Sequence, residues 1–368
     1  MDKSCIKCGR CLAVCPVYKV SGQERLAPRG KLNLIDFYKN KKISASPLFQ
    51  EAISACILCR RCEERCILNI STPDIIHQLR QELWPQQKIR LYRSWLANKF
   101  LASYPKHLGI WLRLFALLQQ IVTLPISLSS HPFLRQKITF HSIAKSKGTV
   151  AIFVGCGVNL IYPHLGHKLV KLCQQLGFNV IIPAGQSCCG LMAHTLGDEE
   201  TASSLAYENV KAFSDINPDI IITPCASCYH QLKTFSVYQE AGLSAKVIEL
   251  SQFLQDKTLS FMDLDAKITW HDPCHLRFHH NIWQEPRDLL KKAGYHFIET
   301  SPEGMCCGHG GSFALNFPDL SKDILNKRKA VITSSQAEIT LTSCMGCLIQ
   351  LKMGLGEVHV KHILEIFA

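Results

Sequence analysis

Ser187-Cys-Cys-Gly190 recurs as Met305-Cys-Cys-Gly308, and the two copies anchor a longer repeat. Cys156, Cys188 and Cys189 return as Cys274, Cys306 and Cys307, each 118 residues later. Cys225 and Cys228 return as Cys344 and Cys347, each 119 later, with Thr223-Pro-Cys-Ala-Ser-Cys228 matching Thr342-Ser-Cys-Met-Gly-Cys347. Five cysteines in register with one residue of slip mark a duplication, and hence two similar units packed as a pseudo-symmetric pair. Within the first unit, Thr149–Val154, Asn179–Pro183 and Asp219–Thr223 are short β-branched runs that end at turn signals. Tyr162–Leu176 and Glu199–Ser214 between them have helical spacing. This alternation predicts an α/β unit with a mostly parallel sheet.

Each unit reads C-x₃₁-C-C-G followed by C-x₂-C. In an open parallel sheet the three cysteine-bearing loops emerge together at the carboxyl ends of the strands. Five soft thiolates converging there suit iron–sulfur or zinc chemistry and exclude oxygen-liking metals. Adjacent cysteines diverge too much to serve one tetrahedral ion easily and fit a cluster of several irons better. The candidate metal ligands are therefore Cys156, Cys188, Cys189, Cys225 and Cys228 in one site, and Cys274, Cys306, Cys307, Cys344 and Cys347 in the other. The glycine after each pair, with Gly310 and Gly311, is expected to let backbone approach the sulfurs and donate N–H groups. A disulfide within either adjacent pair is a strained alternative that leaves the other three cysteines unexplained.

Upstream, Cys5-Ile-Lys-Cys8-Gly-Arg-Cys11-Leu-Ala-Val-Cys15-Pro16 is a full C-x₂-C-x₂-C-x₃-C-P run, the pattern of bacterial ferredoxins. Cys56-Ile-Leu-Cys59-Arg-Arg-Cys62-Glu-Glu-Arg-Cys66 repeats it with Ile67 in place of the proline. In such pairs of runs the fourth cysteine serves the other cluster. The expected sets are thus Cys5, Cys8, Cys11 and Cys66 for one [4Fe-4S] cluster, and Cys56, Cys59, Cys62 and Cys15 for a second. The insert between the runs reads as helical over Lys31–Asn40 and Leu48–Ala55. Arg29, in Ala27-Pro-Arg-Gly30, either holds an anionic group or caps a helix.

Nineteen cysteines in 368 residues, an odd count without an apolar stretch in residues 1–15, point to a reducing cytoplasmic setting rather than to disulfides. Residues 83–197 carry 12 Lys/Arg and no acid, while residues 198–368 carry 15 against 21. Lys88–Trp95 and His107–Phe115 read as helices with aromatic and apolar residues on one side and basic ones on the other. Such helices pack on their own protein, or lie on an anionic membrane surface or acidic partner. The most apolar run, Leu108–Leu128, is broken by Arg113, Gln119, Gln120 and Pro125, so no segment is expected to span a membrane. The basic residues lack any nucleic-acid-binding motif.

The division expected is 1–82, a helical ferredoxin domain; 83–147, a basic helical connector; 148–258 and 259–368, the two cysteine-rich units. Cys173 has no counterpart in the second unit and reads as a core thiol. His275 and His309 flank candidate ligands and suit proton relay or loop roles, His194 less so, and His362 reads as a packing or capping residue. No nucleophile–base set, P-loop or dinucleotide-binding glycine run is present.

The repeats resemble the CCG cysteine-rich domains of heterodisulfide reductase and of the iron–sulfur subunit of glycolate oxidase. The whole chain is similar to the latter, with matching stretches at Ala27-Pro-Arg-Gly30, His271-Asp-Pro-Cys-His-Leu276, Cys306-Cys-Gly308, Cys344–Leu351 and Val360-Lys-His-Ile-Leu-Glu365. The resemblance implies an α+β multidomain protein: an α-helical ferredoxin module with two [4Fe-4S] clusters, then two tandem α/β CCG domains with one or two further clusters, non-cubane ones among them, or zinc. It implies an FAD-containing partner that oxidises a glycolate- or D-lactate-type 2-hydroxy acid. This chain would pass the electrons to a quinone or other carrier, in the cytoplasm or peripherally on the inner face of the membrane. The heterodisulfide reductase branch implies an alternative, direct reduction of a disulfide or quinone at the CCG sites. A zinc-stabilised or iron-sensing scaffold is the reading without redox turnover.

Overall fold

A computed structural model describes residues 5–87, 92, 96, 128, 129, 131–134, 139–216 and 218–368. The basic helices expected over Lys88–Trp95 and His107–Phe115 lie outside the described residues, apart from Tyr92. Among the described residues no helix is long and apolar enough to cross a membrane.

The N-terminal module packs three longer helices against cysteine loops that carry the short helices Pro16–Ser21 and Arg61–Glu64. Pro28–Lys39 and Pro47–Ser54 each begin with proline, whose missing N–H costs nothing at a helix start, and Ser46 accepts the Phe49 N–H as a cap. With the helix Thr72–Gln87 they enclose Ile35, Phe49, Ile53, Ile76, Leu79 and Leu83. Two buried cations tie the cysteine loops to this core. Lys31 Nζ donates to the carbonyls of Leu26 and Ala55, at 2.7 and 3.3 Å. Arg80 donates to the carbonyls of Ile53, Ser54, Cys56 and Thr195.

Two sheets follow. The first comprises β1 (Thr139–His141), β2 (Thr149–Ile152), β3 (Asn179–Ile182), β4 (Ile220–Thr223) and β5 (Val247–Glu249), in the order β1-β3-β2-β4-β5. The second comprises β6 (Lys267–Trp270), β7 (His296–Phe297), β8 (Ile339–Thr342) and β9 (Val360–His362), in the order β7-β6-β8-β9. All pairings are parallel except β1 with β3, so β2 to β5 and β6 to β9 have one topology, as the duplication requires. β1 falls within the stretch expected to be a helical connector. There Phe140 and its neighbours pair along the edge of β3. The helices Pro163–Gln175 and Glu199–Ser214 stand where the helical spacing put them.

Glu249, at the end of β5, caps the next helix by accepting the Ser251 and Gln252 N–H groups. Burial pushes its carboxyl up from 4.5 to about 6. A folded value above the unfolded one means stability that is complete below about pH 4.5 and lost as pH rises through about 6. The gap amounts to about 2 kcal/mol. Glu249→Gln keeps an acceptor for the cap without the charge. It should be the more stable form at pH 7 and lose that advantage at pH 5, as read by thermal melts at both values. An unchanged difference between the two pH values would show that Glu249 binds its proton equally well in the folded and unfolded chain.

Candidate metal centres

In the N-terminal module the two cysteine runs fold against each other, and each sends its fourth cysteine across. Cys5, Cys8, Cys11 and Cys66 line one hollow, with Arg29 and part of Cys62. Cys15, Cys56, Cys59 and Cys62 line another, with Lys31, Arg60 and Arg61. The turns are tight enough to need left-handed backbone at Lys7, Gly9, Leu58 and Arg60. Backbone N–H groups already point at sulfur, from Lys7 to Cys5 at 3.4 Å and from Ile70 to Cys66 at 3.4 Å. Arg29 is committed within the module, donating to Glu24 and to the Lys7 carbonyl. Cys8 is exposed, whereas Cys15 and Cys59 are buried. Burial pushes the Cys59 thiol up to about 12, against the opposing Arg61 N–H and charge. Cys62 is raised well above the ordinary thiol value by burial and then by Cys59 and Cys56. Such a nest of thiols holds its protons until a cation takes their place, the behaviour of ligands for a positively charged group.

Each cysteine-rich unit brings its five cysteines together at the carboxyl ends of its strands. Cys156 Sγ and Cys188 Sγ are 4.0 Å apart, and Cys189 and Cys228 are buried in the same unit. Cys307 Sγ and Cys347 Sγ are 3.4 Å apart, with Cys306 beside them. All nineteen cysteines are free thiols, the adjacent pairs included. Gly190 and Gly308 have φ of 88° and 90°, and a Cβ on Gly308 would lie 2.5 Å from the Ser321 carbonyl. Their N–H groups do reach sulfur, Gly308 to Cys306 at 3.3 Å and Gly190 to Cys188. Gly310 and Gly311 do not behave as expected. Gly310 packs against Ile57 of the N-terminal module, and the Gly311 N–H binds His309 Nδ1. Buried polar atoms left without a partner gather here: Thr223 Oγ1, Thr342 Oγ1, Ser343 Oγ and His271 Nδ1. Ten soft thiolates, inward N–H groups and orphaned polar atoms fit iron–sulfur groups.

The centres are neighbours. Cys59 shares one apolar cluster with Cys306 and Cys274, together with Cys15, Val17, Ile57, Phe313 and Ile324. The two cysteine-rich sites meet at their C-x₂-C loops. There the Ala226 N–H binds the Ser343 carbonyl at 2.9 Å, and Ser227 Oγ lies 3.2 Å from Cys344 Sγ.

Cys173 is fully buried on its helix and pushed up to about 12 by burial alone, as a core thiol should be. His275 Nδ1 is 3.0 Å from Ser227 Oγ. His309 packs against Gly346. His194 Nδ1 pairs with Glu199 at 2.8 Å. His362 caps the turn Ile363–Ile366 and bonds the Pro224 carbonyl, tying one unit to the other. Sequence reasoning missed His77, His230, His279 and His280. His77 Nε2–H donates to the His194 carbonyl at 2.7 Å, docking the N-terminal module on the first unit. His230, from the first unit, sits against His275, His279 and His280 of a π-helical turn in the second, and His279 Nε2–H donates to the Leu58 carbonyl. No local motif announces these residues, because their partners are remote in sequence.

The cysteine-rich domain family (CCG) matches residues 150–233 and 268–352, and the 4Fe-4S dicluster domain family matches residues 2–70. A probable glycolate oxidase iron-sulfur subunit of Bacillus subtilis is 29% identical over 419 residues, spanning 99% of this chain and 92% of that protein. The glycolate oxidase iron-sulfur subunit of Escherichia coli is 25% identical over 391 residues, spanning 99% and 93%. A fumarate reductase (CoM/CoB) chain of Methanothermobacter marburgensis is 27% identical over 380 residues, spanning 99% of this chain and 71% of that one. A crystal structure of a hypothetical protein from Helicobacter pylori superposes with a TM-score of 0.52 at 10% identity, covering 95% of this chain and 68% of that chain, a likeness of fold. The chain thus carries a 4Fe-4S dicluster domain ahead of two repeats of the CCG cysteine-rich domain.

Proposed function

We propose that this chain is the electron-transfer subunit of an FAD-linked 2-hydroxy-acid dehydrogenase of glycolate or D-lactate type. Its clusters take electrons from the flavoprotein and pass them to a quinone or another carrier. The reading is supported by relatives named as glycolate oxidase iron-sulfur subunits, and by a lactate utilization protein A of Oceanobacillus iheyensis, 28% identical across 59% of this chain. The observation that carries it is the end-to-end placement of four cysteine sites.

In this reading Cys5, Cys8, Cys11 and Cys66 hold one [4Fe-4S] cluster, and Cys15, Cys56, Cys59 and Cys62 hold another. Cys274, Cys306, Cys307, Cys344 and Cys347 hold a third iron–sulfur group, and Cys156, Cys188, Cys189, Cys225 and Cys228 a fourth. The order follows from the neighbours. The exposed Cys8 marks one end, the apolar cluster that holds Cys59 with Cys274 and Cys306 marks the middle step, and the contact of Ser227 with Cys344 joins the two CCG sites. When bound, the clusters supply one-electron redox chemistry. The chain's own residues fix the thiolates, donate N–H groups to sulfur and exclude water. The domain limits 1–82, 83–147, 148–258 and 259–368 belong to the same proposal. The acid-free stretch is assigned a docking role, on the partner subunit or on the inner face of the membrane.

The test is anaerobic mixing of the cluster-loaded chain with a flavoprotein dehydrogenase of glycolate or D-lactate type, followed by the hydroxy acid. Cluster absorbance should bleach with the hydroxy acid only when the flavoprotein is present. One observation favours a second reading, catalysis at the CCG sites: Cys344, Ser227 and His275 form a single polar cluster between them. Disulfide reduction by the chain alone, with no response to the flavoprotein, would replace the first reading by the second. Zinc without iron in the CCG units would remove both.

A further inference from the structure

The two CCG sites share five cysteines but not their surroundings. β2 and β6 occupy the same place in the two sheets, and the residues after them, Phe153 and His271, are held alike. The Phe153 N–H binds the Ile222 carbonyl at 2.9 Å, and the His271 N–H binds the Leu341 carbonyl at 2.8 Å. Ile222 and Leu341 are themselves equivalent positions of β4 and β8. The backbone is the same and the side chain is not. In the first unit Phe153 is fully buried and stacks on Phe213, with ring centroids 6.0 Å apart, and it adds no polar atom to the site. In the second unit one His271 ring nitrogen lies within 4.8 Å of Cys307 Sγ and Cys347 Sγ. His271 is only 1% exposed, and its Nδ1 has no protein partner. A buried imidazole with an unsatisfied nitrogen is costly unless something else at the site uses it.

We propose that His271 is a positioning residue of the second CCG site, donating its ring N–H to the Cys307 thiolate and giving that site a higher reduction potential than its Phe153-bearing twin. The inference rests on the proposal that Cys274, Cys306, Cys307, Cys344 and Cys347 hold an iron–sulfur cluster. Hydrogen bonds to the sulfurs of a cluster stabilise its more negative, reduced state. The peptide donors after the adjacent pair are present in both units, at Gly190 and Gly308, so they do not distinguish the sites. His271 does. The second site also abuts the N-terminal module, since Cys274 and Cys306 share one apolar cluster with Cys59. A more oxidising group there accepts the incoming electron first, and the first site receives it only when the second is filled or is drained by an acceptor.

The experiment compares the cluster-loaded chain with His271→Phe, which copies the first unit, and with His271→Gln, which keeps a side-chain N–H. Redox titration followed by electron paramagnetic resonance should show one CCG signal shifted in His271→Phe. The expected drop is about tenfold in its reduction equilibrium, 59 mV for a one-electron step. The ferredoxin-type signals should stay in place, and His271→Gln should recover part of the shift. Pulsed measurements on histidine-¹⁵N-labelled protein should show weak nitrogen coupling to that signal in the parent and none in His271→Phe. Equal potentials and unchanged nitrogen coupling, with iron content intact, would overturn the role of His271 while leaving the cluster reading standing. Zinc in place of iron at this site in the parent protein would overturn the cluster reading, and the proposed role with it.

Discussion

Replacing Cys66 with alanine is expected to abolish the iron–sulfur signal of the Cys5-Cys8-Cys11 run, while the signal of its own run, Cys56-Cys59-Cys62, persists. The hollow geometry is the reason: Cys66 faces Cys5, Cys8 and Cys11, and Cys15 faces Cys56, Cys59 and Cys62. Cys15→Ala should do the converse. Each variant should therefore lose about half of the ferredoxin-type iron, and the lost half should be the one remote in sequence. Mössbauer spectra and anaerobic redox titration distinguish the two cases, because the exposed Cys8 end and the buried Cys59 end differ in solvent access and hence in potential. Loss of the run that carries the mutation would refute the exchange.

Arg80→Met is the other large effect. The guanidinium is almost wholly enclosed and donates to four carbonyls, at 2.6 Å for Cys56, 2.7 Å for Thr195 and 2.9 Å for Ser54, with Ile53 taking two bonds. Burial lowers its affinity for its proton, but an arginine stays charged. Methionine fills similar space and leaves those carbonyls in a dry interface. At 1–3 kcal/mol for each orphaned group, a loss of at least about 3 kcal/mol is expected even after relaxation. The same bonds fix the loop that carries Cys56 and dock the module on the first CCG unit at Thr195. There Gly197 comes so close that a Cβ would lie 2.6 Å from the Arg80 backbone. Cluster absorbance should therefore melt at lower temperature, with the buried ferredoxin-type cluster going first. Arg80→Lys should recover little, since one ammonium cannot span four carbonyls. An unaltered melting curve would show that water takes over those bonds.

The cysteine framework was legible because metal-binding loops are local. C-x₂-C-x₂-C is set within one turn, and the offsets of 118 and 119 residues identify equivalent loops without any knowledge of packing. The strands after the repeat's turn signals and the helices between them were legible for the same reason. What could not be read was where one loop meets another. The contact of Ser227 with Cys344, and the histidine group of His230, His275, His279 and His280, arise only when the units pack face to face. Gly310 illustrates the limit. Its missing side chain suggested an approach to sulfur, yet the space it leaves is filled by Ile57, a residue of another module. His271 lay within reach of sequence reasoning, for aligning the repeats sets it against Phe153. A single imidazole beside so many thiols carried no signal until its orphaned nitrogen was seen.

The crossing of Cys15 and Cys66 also bears on how the protein is made. A ribosome releases Cys5, Cys8 and Cys11 early, but the pocket they help to form stays incomplete until Cys66 has left the exit tunnel, and Cys15 waits equally for Cys56, Cys59 and Cys62. In the proposed ligand assignment, neither half of the module is a finished acceptor for iron on its own. Cofactor delivery would then address the folded domain rather than a nascent peptide, and a chain truncated before Cys66 by stalled synthesis would complete at most one of the two proposed clusters.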